Sequence, residues 1–157
     1  MIGTVLLGAV LLFALGAVLS DVQGNARSSR ICAGFAGLAS LGAAVFLFAI
    51  ILADDFSYSY VVSYSSIDLP LLYKFSAFWA GQQGSFLLWL VIHALVGIIL
   101  AQSGRMTATG RAIYQTLTAL LALLVLMKSP FIPADTIVLD GHGMNPLLQD
   151  PWMAVHP

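Results

Sequence analysis

The three histidines are the residues of this chain best suited to bind a metal or to move a proton. A neutral imidazole nitrogen is a good metal ligand, and histidine titrates near neutral pH. His93 lies inside a long apolar segment, where it is either a ligand or proton relay or a neutral side chain bonded to a neighbouring helix or backbone carbonyl. His142 stands between two glycines, which favours a solvated loop. His156 lies at the end of the chain.

The single cysteine, Cys32, excludes several kinds of redox and haem chemistry. One cysteine cannot form a disulfide within the chain or a Cys-x-x-Cys redox pair. The sequence also contains no Cys-x-x-Cys-His, so the chain cannot carry its own thioether-bound haem. Because Cys32 lies in an apolar segment, we expect it to be a small packing residue.

The composition indicates an integral membrane protein. Of the 157 residues, 60% are hydrophobic and only 8% are charged, and the mean hydropathy is +0.96. Soluble domains usually carry about 25% charged residues, so this composition excludes an ordinary soluble enzyme. The formal net charge is −1, so the sequence has no excess of basic residues to form the basic surface that nucleic-acid binding requires.

Four long apolar segments predict an all-α membrane protein with about four transmembrane helices. A helix rises about 1.5 Å per residue, so about 20 residues cross a hydrocarbon core of about 30 Å. The first segment has no basic residue before its apolar region, which favours a retained helix over a cleaved signal peptide. The predicted spans are residues 2–20, 31–53, 84–103 and 112–130.

The basic residues predict the orientation of these spans. Four arginines lie in the loops after the first and third spans, whereas two lysines lie on the opposite side. These are Arg27, Arg30, Arg105 and Arg111, against Lys74 and Lys128. Basic loops favour the cytoplasm, so both termini, the outer segment 54–83 and the outer tail 131–157 are predicted to lie outside. In a bacterium this is the periplasmic face of the inner membrane. We expect residues 1–157 to form a single membrane domain whose working face is periplasmic.

The outer segment shows two periodic patterns. From Phe56 to Ser65, aromatic or valine residues alternate with serines, apart from Val61 in the serine set, which predicts a β-strand. After Pro70, apolar residues from Leu72 to Trp79 are spaced by three and four, which predicts a short helix in the membrane interface. Both patterns fit a belt of aromatic side chains at headgroup depth, and both fit a docking surface for a partner or an apolar ligand.

A first run of unusual composition stands at the start of the third span. Gly81 and Gly84 are three residues apart, a spacing that allows a tight turn or a close approach of another group to the backbone. Gln82 and Gln83 between them are polar side chains at the membrane edge, so we expect them to need hydrogen-bond partners.

A second run lies in the tail and contains two helix starts. Asn145-Pro146 and Asp150-Pro151 each pair a good N-cap residue with a proline at the first helical position. The first start has room for one turn only. The second start opens an apolar stretch that ends at His156, so we expect it to begin a fifth membrane helix whose body lies elsewhere.

Both runs resemble sequences of one family, the CcmF and NrfE proteins. The first run, preceded by Leu69-Pro70 and Tyr73-Lys74, is Trp79-x-Gly81-x-x-Gly84-Ser85-x-Leu87-Leu88-Trp89. The second run, followed by His156-Pro157, is Asp140-Gly141-x-Gly143-x-Asn145-Pro146-Leu147-Leu148-Gln149-Asp150-Pro151. The resemblance spans nearly the whole chain, more loosely in the first, second and fourth predicted spans.

The resemblance implies a component of a cytochrome c haem lyase of maturation System I. Proteins of this family are multi-pass inner-membrane proteins that bind and transfer haem. They receive haem b from a periplasmic CcmE-type chaperone and attach it to the CxxCH thiols of apocytochrome c, which CcmH-type partners present. The histidine of the His-Pro motif is an axial haem ligand in the family. This role falls on His156, with Trp152 and Pro157 in the same motif, and no catalytic residue is implied.

Several features of the family are missing from this sequence. Its pattern usually has glutamate at the position of Gln83. Its tryptophan-rich periplasmic segment, a second periplasmic histidine and the two histidines of a permanent b-type haem have no counterpart, and neither His93 nor His142 matches a family ligand. We therefore expect the rest of a CcmF-like protein to be supplied by a split gene, or the sequence to be a fragment, and this chain alone to be inactive as an enzyme.

Other functions and roles also fit the sequence. The chain could be a non-catalytic structural subunit that docks the haem chaperone. A small transporter or proton-conducting subunit has only His93 in its favour, and the absence of charge from three span cores counts against it. Lys74 and Lys128 are expected to be anchors at the membrane surface or partners of haem propionates.

Overall fold

A computed structural model describes residues 1–136, 138–149 and 152 of the chain. These residues contain six α-helices and one short 3-10 turn. The elements are α1 (Ile2–Val22), α2 (Ala26–Leu52), α3 (Ser59–Tyr64), α4 (Leu71–Ala80), α5 (Gln82–Gln102), α6 (Ala108–Met127) and the 3-10 turn Pro146–Gln149. The predicted all-α fold is confirmed for this part of the chain.

Four of the helices, α1, α2, α5 and α6, are long and apolar enough to cross a membrane. They contain 20 to 27 residues, which corresponds to about 30 to 40 Å of helix. Four long apolar helices, as predicted, are therefore confirmed by length and composition, whereas their placement in a membrane and the side on which the termini lie stay predictions. Two helices begin earlier than predicted, α2 at Ala26 and α6 at Ala108, so Arg27, Arg30 and Arg111, which were predicted to lie in loops, lie inside helices.

The chain divides into two compact units. The bundle unit comprises residues 1–44 and 86–127, and the motif unit comprises residues 45–85 and 128–157. The single membrane domain expected for residues 1–157 stays a prediction.

Helices of the bundle unit pack closely where small residues meet larger side chains. α1 packs along α6, and Phe13–Phe35 stack between α1 and α2 with ring centroids 5.2 Å apart. Ile98 of α5 fills the space beside Gly37 of α2, where a Cβ atom would overlap it. Tyr114 of α6 lies against Gly97 of α5, where a Cβ atom would be only 2.8 Å from the ring. Small residues permit such approach between membrane helices, which associate largely through packing.

A buried ion pair joins the end of α1 to the first turn of α6. The guanidinium of Arg111 donates to Asp21 Oδ1 from Nε at 3.0 Å and from Nη2 at 2.5 Å. Ser29 Oγ donates to Asp21 Oδ2 at 2.6 Å, and Arg111 Nη1 donates to the Met106 carbonyl at 3.0 Å. The Asp21 side chain is fully buried and that of Arg111 is 7% exposed. Arg111 is therefore part of the helix packing rather than of the predicted loop.

The β-strand predicted for residues 56–65 is wrong, because this segment contains helix α3. Tyr60, Val61 and Val62 are buried in succession, whereas a half-buried strand would bury every second residue. The serines do not share one solvated face, since Ser57 and Ser63 are exposed whereas Ser65 is buried. Within the described residues the β-type pairing is limited to one isolated bridge, Tyr58↔Pro133. The short helix predicted after Pro70 is confirmed as α4.

Candidate functional site

The candidate site is the part of the motif unit in which both runs contact α3. The hydroxyl of Tyr60 faces α4 and the first run. It shares its proton between the carbonyls of Ala77 at 2.9 Å and Phe78 at 3.1 Å, and it accepts the Gly81 N–H at 3.2 Å. Tyr60 is only 2% exposed, and burial raises the pKa of its phenol above the usual value. The phenol therefore stays neutral and keeps the proton that it donates.

The two glycines of the first run lie where no side chain fits. A Cβ atom at Gly81 would come within 2.8 Å of the Tyr60 ring, and one at Gly84 would overlap the Phe78 carbonyl and the Tyr60 hydroxyl. The close backbone approach expected from their spacing is therefore confirmed. Ser85, which follows Gly84, donates from Oγ to the Trp79 carbonyl at 2.7 Å and closes the bend between α4 and α5.

The second run binds the other end of α3 through its backbone. The N–H groups of His142 and Gly143 donate to the carbonyls of Val62 at 2.7 Å and Ser65 at 3.0 Å. The last carbonyls of a helix have no partner within the helix, so the second run satisfies groups that α3 leaves open. Asp140 Oδ1 accepts the N–H groups of Ile67 at 2.9 Å and of its neighbour Gly141 at 2.7 Å.

The turn of the second run follows its sequence. Gly143 has φ +75°, a left-handed conformation that glycine adopts without a Cβ penalty. Asn145 Oδ1 accepts the Leu147 N–H at 3.0 Å, which confirms the N-cap, and the 3-10 turn that follows is the single turn expected. Gln149 Nε2 then donates to the Met144 carbonyl at 2.9 Å.

A second ion pair lies beside α3. Lys74 of α4 places its ammonium 2.5 Å from Asp54 Oδ2, and Ser65 Oγ donates to Asp54 Oδ1 at 3.4 Å. Lys74 is only 8% exposed. The structure therefore contradicts both expectations for this lysine, since its charge is used inside the motif unit. Lys128 is exposed.

Changing Tyr60 to Phe is expected to destabilise the motif unit by about 1–3 kcal/mol, because the Gly81 N–H loses its acceptor and the two carbonyls lose their donor. The measurement is the midpoint of thermal unfolding in detergent, together with hydrogen exchange at the Gly81 amide. Tyr64→Phe is the matched control. Its ring makes a tilted contact with the Tyr60 ring, with centroids 4.8 Å apart, but its hydroxyl makes no hydrogen bond within residues 1–136, 138–149 and 152. Equal effects of the two changes would contradict the role of the Tyr60 hydroxyl.

Comparisons with known proteins identify the family of the chain. No protein-family model matches it. The cytochrome c-type biogenesis protein ccl1 of Rhodobacter capsulatus is 36% identical over 127 residues, which cover 77% of this chain and 19% of that protein. CcmF of Escherichia coli is 31% identical over 161 residues, which cover 96% of this chain and 25% of that protein. A solved structure of the cytochrome c haem lyase CcmF matches 99% of this chain with a TM-score of 0.79 and 26% identity. The chain is homologous to the CcmF family of cytochrome c biogenesis proteins.

The match to CcmF covers nearly all of this chain but only part of each CcmF protein. The chain spans about a fifth to a quarter of the length of the CcmF-type relatives it matches, and 26% of the solved CcmF chain. The activity, substrates and partners of a whole CcmF protein are therefore proposals for this chain.

Several residues assigned by the CcmF resemblance lie outside the described part of the chain. These are Asp150, Pro151, His156 and Pro157, together with the fifth helix expected to begin there. Trp152 is described and is 81% exposed. Among the described residues, no group of three or more His, Cys, Asp and Glu side chains could hold a metal ion. The assignment of His156 as an axial ligand stays a prediction.

The other two histidines make contacts within the protein. In the bundle unit, the His93 ring stacks on Tyr114 with centroids 4.1 Å apart, and its Nε2 lies 3.3 Å from the Tyr114 carbonyl. The Tyr114 hydroxyl donates to the His93 carbonyl at 2.9 Å. This reciprocal pair favours the hydrogen-bonded interpretation of His93. The His142 side chain is exposed, as expected for a loop residue, and only its backbone binds α3.

Sequence reasoning missed Tyr60 and the pair of Asp54 and Lys74. The available signal was a lysine inside the apolar stripe of α4, since a buried lysine needs a carboxylate partner. Gln82 and Gln83 were expected to need partners. Gln82 is exposed, whereas Gln83 Oε1 is buried with no hydrogen-bond partner in the described part of the chain, at the position where the CcmF pattern usually has glutamate.

Proposed function

We propose that the chain is the part of a CcmF-type haem lyase that helps to position haem for attachment to apocytochrome c. The supporting observation is that both family runs contact α3, the second through backbone hydrogen bonds to Val62 and Ser65. His156 follows this anchored run closely, seven residues after Gln149 in the sequence. An anchored run can restrict where a following ligand is presented, which is the main task of an enzyme that works by positioning.

Haem is the substrate in this proposal, and His156 is its ligand. A neutral imidazole nitrogen donates to haem iron and so limits where the porphyrin edge lies. Attachment adds the S–H of a cysteine across a vinyl group, so that one C–S bond and one C–H bond form. The contribution of this chain is to hold the haem rather than to transfer the proton. A single axial histidine does not complete a bis-histidine site, so the remainder of a CcmF-like protein supplies the second ligand, and with it the permanent b-type haem.

We place the chain in the bacterial inner membrane with both termini and the two runs on the periplasmic side. The structure leaves fewer free charges to support this orientation than the sequence suggested. Arg111 and Lys74 are committed to internal ion pairs, whereas Arg27 and Arg105 are exposed next to the α1–α2 and α5–α6 connections. Lys128 is then the exposed basic residue at the opposite end of α6. The partners are the haem chaperone, apocytochrome c and its CcmH-type presenting protein.

The other two candidate functions receive less support. A transporter rested on His93, whose ring is occupied by Tyr114. A docking subunit without a haem ligand makes the same predictions for the fold, so haem binding must separate it from the lyase component.

His156→Ala is expected to remove or shift one haem signal when the chain is purified together with the remainder of a CcmF-type protein. The reason is the loss of one axial ligand, and the measurement is the optical spectrum of the oxidised and reduced complex. The chain purified alone is expected to bind haem weakly or not at all, because its site is incomplete.

His142→Ala is the matched control for this experiment. It removes an exposed imidazole from the same tail and should leave the spectrum unchanged. An unchanged spectrum for His156→Ala would contradict the proposal and favour the docking subunit.

A further inference from the structure

We propose that Asp54 and Lys74 are a positioning pair. The pair fixes the position of α4, and of the first run that follows it, relative to the second run; this relative position is called the register below. This inference rests on the proposed function, because the two runs matter for haem positioning only if the chain is a lyase component. The ion pair, the backbone of Asp54 and two contacts to the second run support it.

The burial of the lysine is the first observation. The side chain of Lys74 is 10% exposed and that of Asp54 is 23% exposed. An ammonium group loses much of its hydration at this depth, and a carboxylate partner offsets that loss. Lys74 is the one charged residue of α4, and a charge is not needed to fold such a helix. Its presence therefore indicates a use for the charge.

The backbone of Asp54 is the second observation. Asp54 has φ +51° and is the one described non-glycine residue in the left-handed region. L-residues adopt this conformation rarely, although aspartate and asparagine do so more often than others, and it persists only when the surroundings hold it. Here the carboxylate bridges two elements, since Oδ2 contacts Lys74 of α4 and Oδ1 accepts from Ser65 at the end of α3.

The connection to the second run is the third observation. The Ser65 carbonyl accepts the Gly143 N–H at 3.0 Å, so the residue that binds Asp54 also binds the second run. A second contact reaches the same run directly from α4, where Ser76 Oγ lies 3.8 Å from Met144 Sδ. A shift of α4 therefore changes the distance between Ser76 and Met144, which makes this contact a reporter of the register.

A purely structural ion pair would behave differently from a positioning pair when both charges are removed together. Neutralising both partners of a buried pair often restores stability, because no unpaired charge remains. If the pair serves only stability, the doubly neutral variant Asp54→Asn/Lys74→Met should recover both folding and register. If the pair positions α4, this variant should recover folding while the register stays altered.

The test is disulfide formation in a chain that carries Cys32→Ser, Ser76→Cys and Met144→Cys, measured in detergent with a mild oxidant. The rate of cross-linking is expected to fall about tenfold in the doubly neutral variant, as for the loss of one charge-assisted hydrogen bond. Lys74→Arg keeps the charge and should retain at least half of the parent rate. Asp55→Asn is the matched control, because the Asp55 carboxylate binds only Ser57 within the described residues.

The midpoint of thermal unfolding is recorded for every variant so that only folded protein is compared. A doubly neutral variant that is folded and cross-links at the parent rate would overturn the proposal. Asp54→Asn alone gives a second measurement, since it keeps the left-handed backbone acceptable but leaves Lys74 unpaired, and its cross-linking should also slow. Because the cross-link contains no haem, a negative result for His156 would refute the proposed function without altering this result.

Discussion

Replacing either Asp21 or Arg111 alone is expected to lower the stability of the bundle unit by about 3–5 kcal/mol. Asp21→Asn leaves a buried guanidinium without its carboxylate, and Arg111→Met leaves a fully buried carboxylate with Ser29 as its one remaining donor among the described residues. Each change therefore leaves a buried charge without its oppositely charged partner, in addition to removing a favourable contact. The measurement is the midpoint of thermal unfolding of the purified chain in detergent.

The double variant Asp21→Asn/Arg111→Met is expected to recover most of this loss, because it removes both charges and leaves an amide that can still accept from Ser29. Arg105→Met is the control. Arg105 is exposed in the α5–α6 connection, so its loss should have little effect. Additive destabilisation in the double variant would show that each side chain acts through packing, and would contradict a dominant ion pair.

Gly84→Ala is expected to lower the free energy of unfolding of the motif unit by about 1–3 kcal/mol or more. The added Cβ atom would overlap the Phe78 carbonyl and the Tyr60 hydroxyl. A carbonyl oxygen belongs to the backbone of α4 and cannot rotate away, so α4 and the first turn of α5 would have to separate. The loss should appear as a lower unfolding midpoint and faster hydrogen exchange at Gly81.

Two other glycines of the transmembrane helices provide matched controls. A Cβ atom at Gly8 or Gly34 would meet no described atom within 4 Å. Alanine also favours a helix interior over glycine by about 1 kcal/mol, so Gly8→Ala and Gly34→Ala should be neutral or stabilising. If all three alanine variants behaved alike, close approach at Gly84 would not explain the first run.

The spans could be predicted from the sequence because their signal is local and summed over some 20 residues. The ends of α2 and α6 could not, since charge was taken as a boundary. The partner that buries Arg111 is Asp21, ninety positions earlier in the sequence, and no local pattern shows it. α3 was mistaken for a strand for a related reason. Its alternation is real, but its burial is set by contacts with α4 and the second run.

The candidate site was predictable in its backbone features and not in its partners. The spacing of Gly81 and Gly84 indicated close approach, and Asn145-Pro146 indicated a single helical turn. Neither pattern shows what approaches the glycines, because Tyr60 belongs to a different element. The ion pair of Asp54 and Lys74 was missed because each residue, taken alone, looks like an ordinary residue of the membrane edge.

The anchoring of α3 by the second run also fixes when the motif unit can fold. The carbonyls of Val62 and Ser65 receive their donors from residues about 80 positions later. At a synthesis rate of about 5–20 residues per second, roughly 4 to 16 seconds separate these acceptors from their partners. By then all four spans have been made, so the motif unit is the last part of the chain to close. A defect in the second run is therefore expected to yield a protein whose four spans are in the membrane but whose motif unit is not folded, with α3 still hydrated and accessible to membrane proteases.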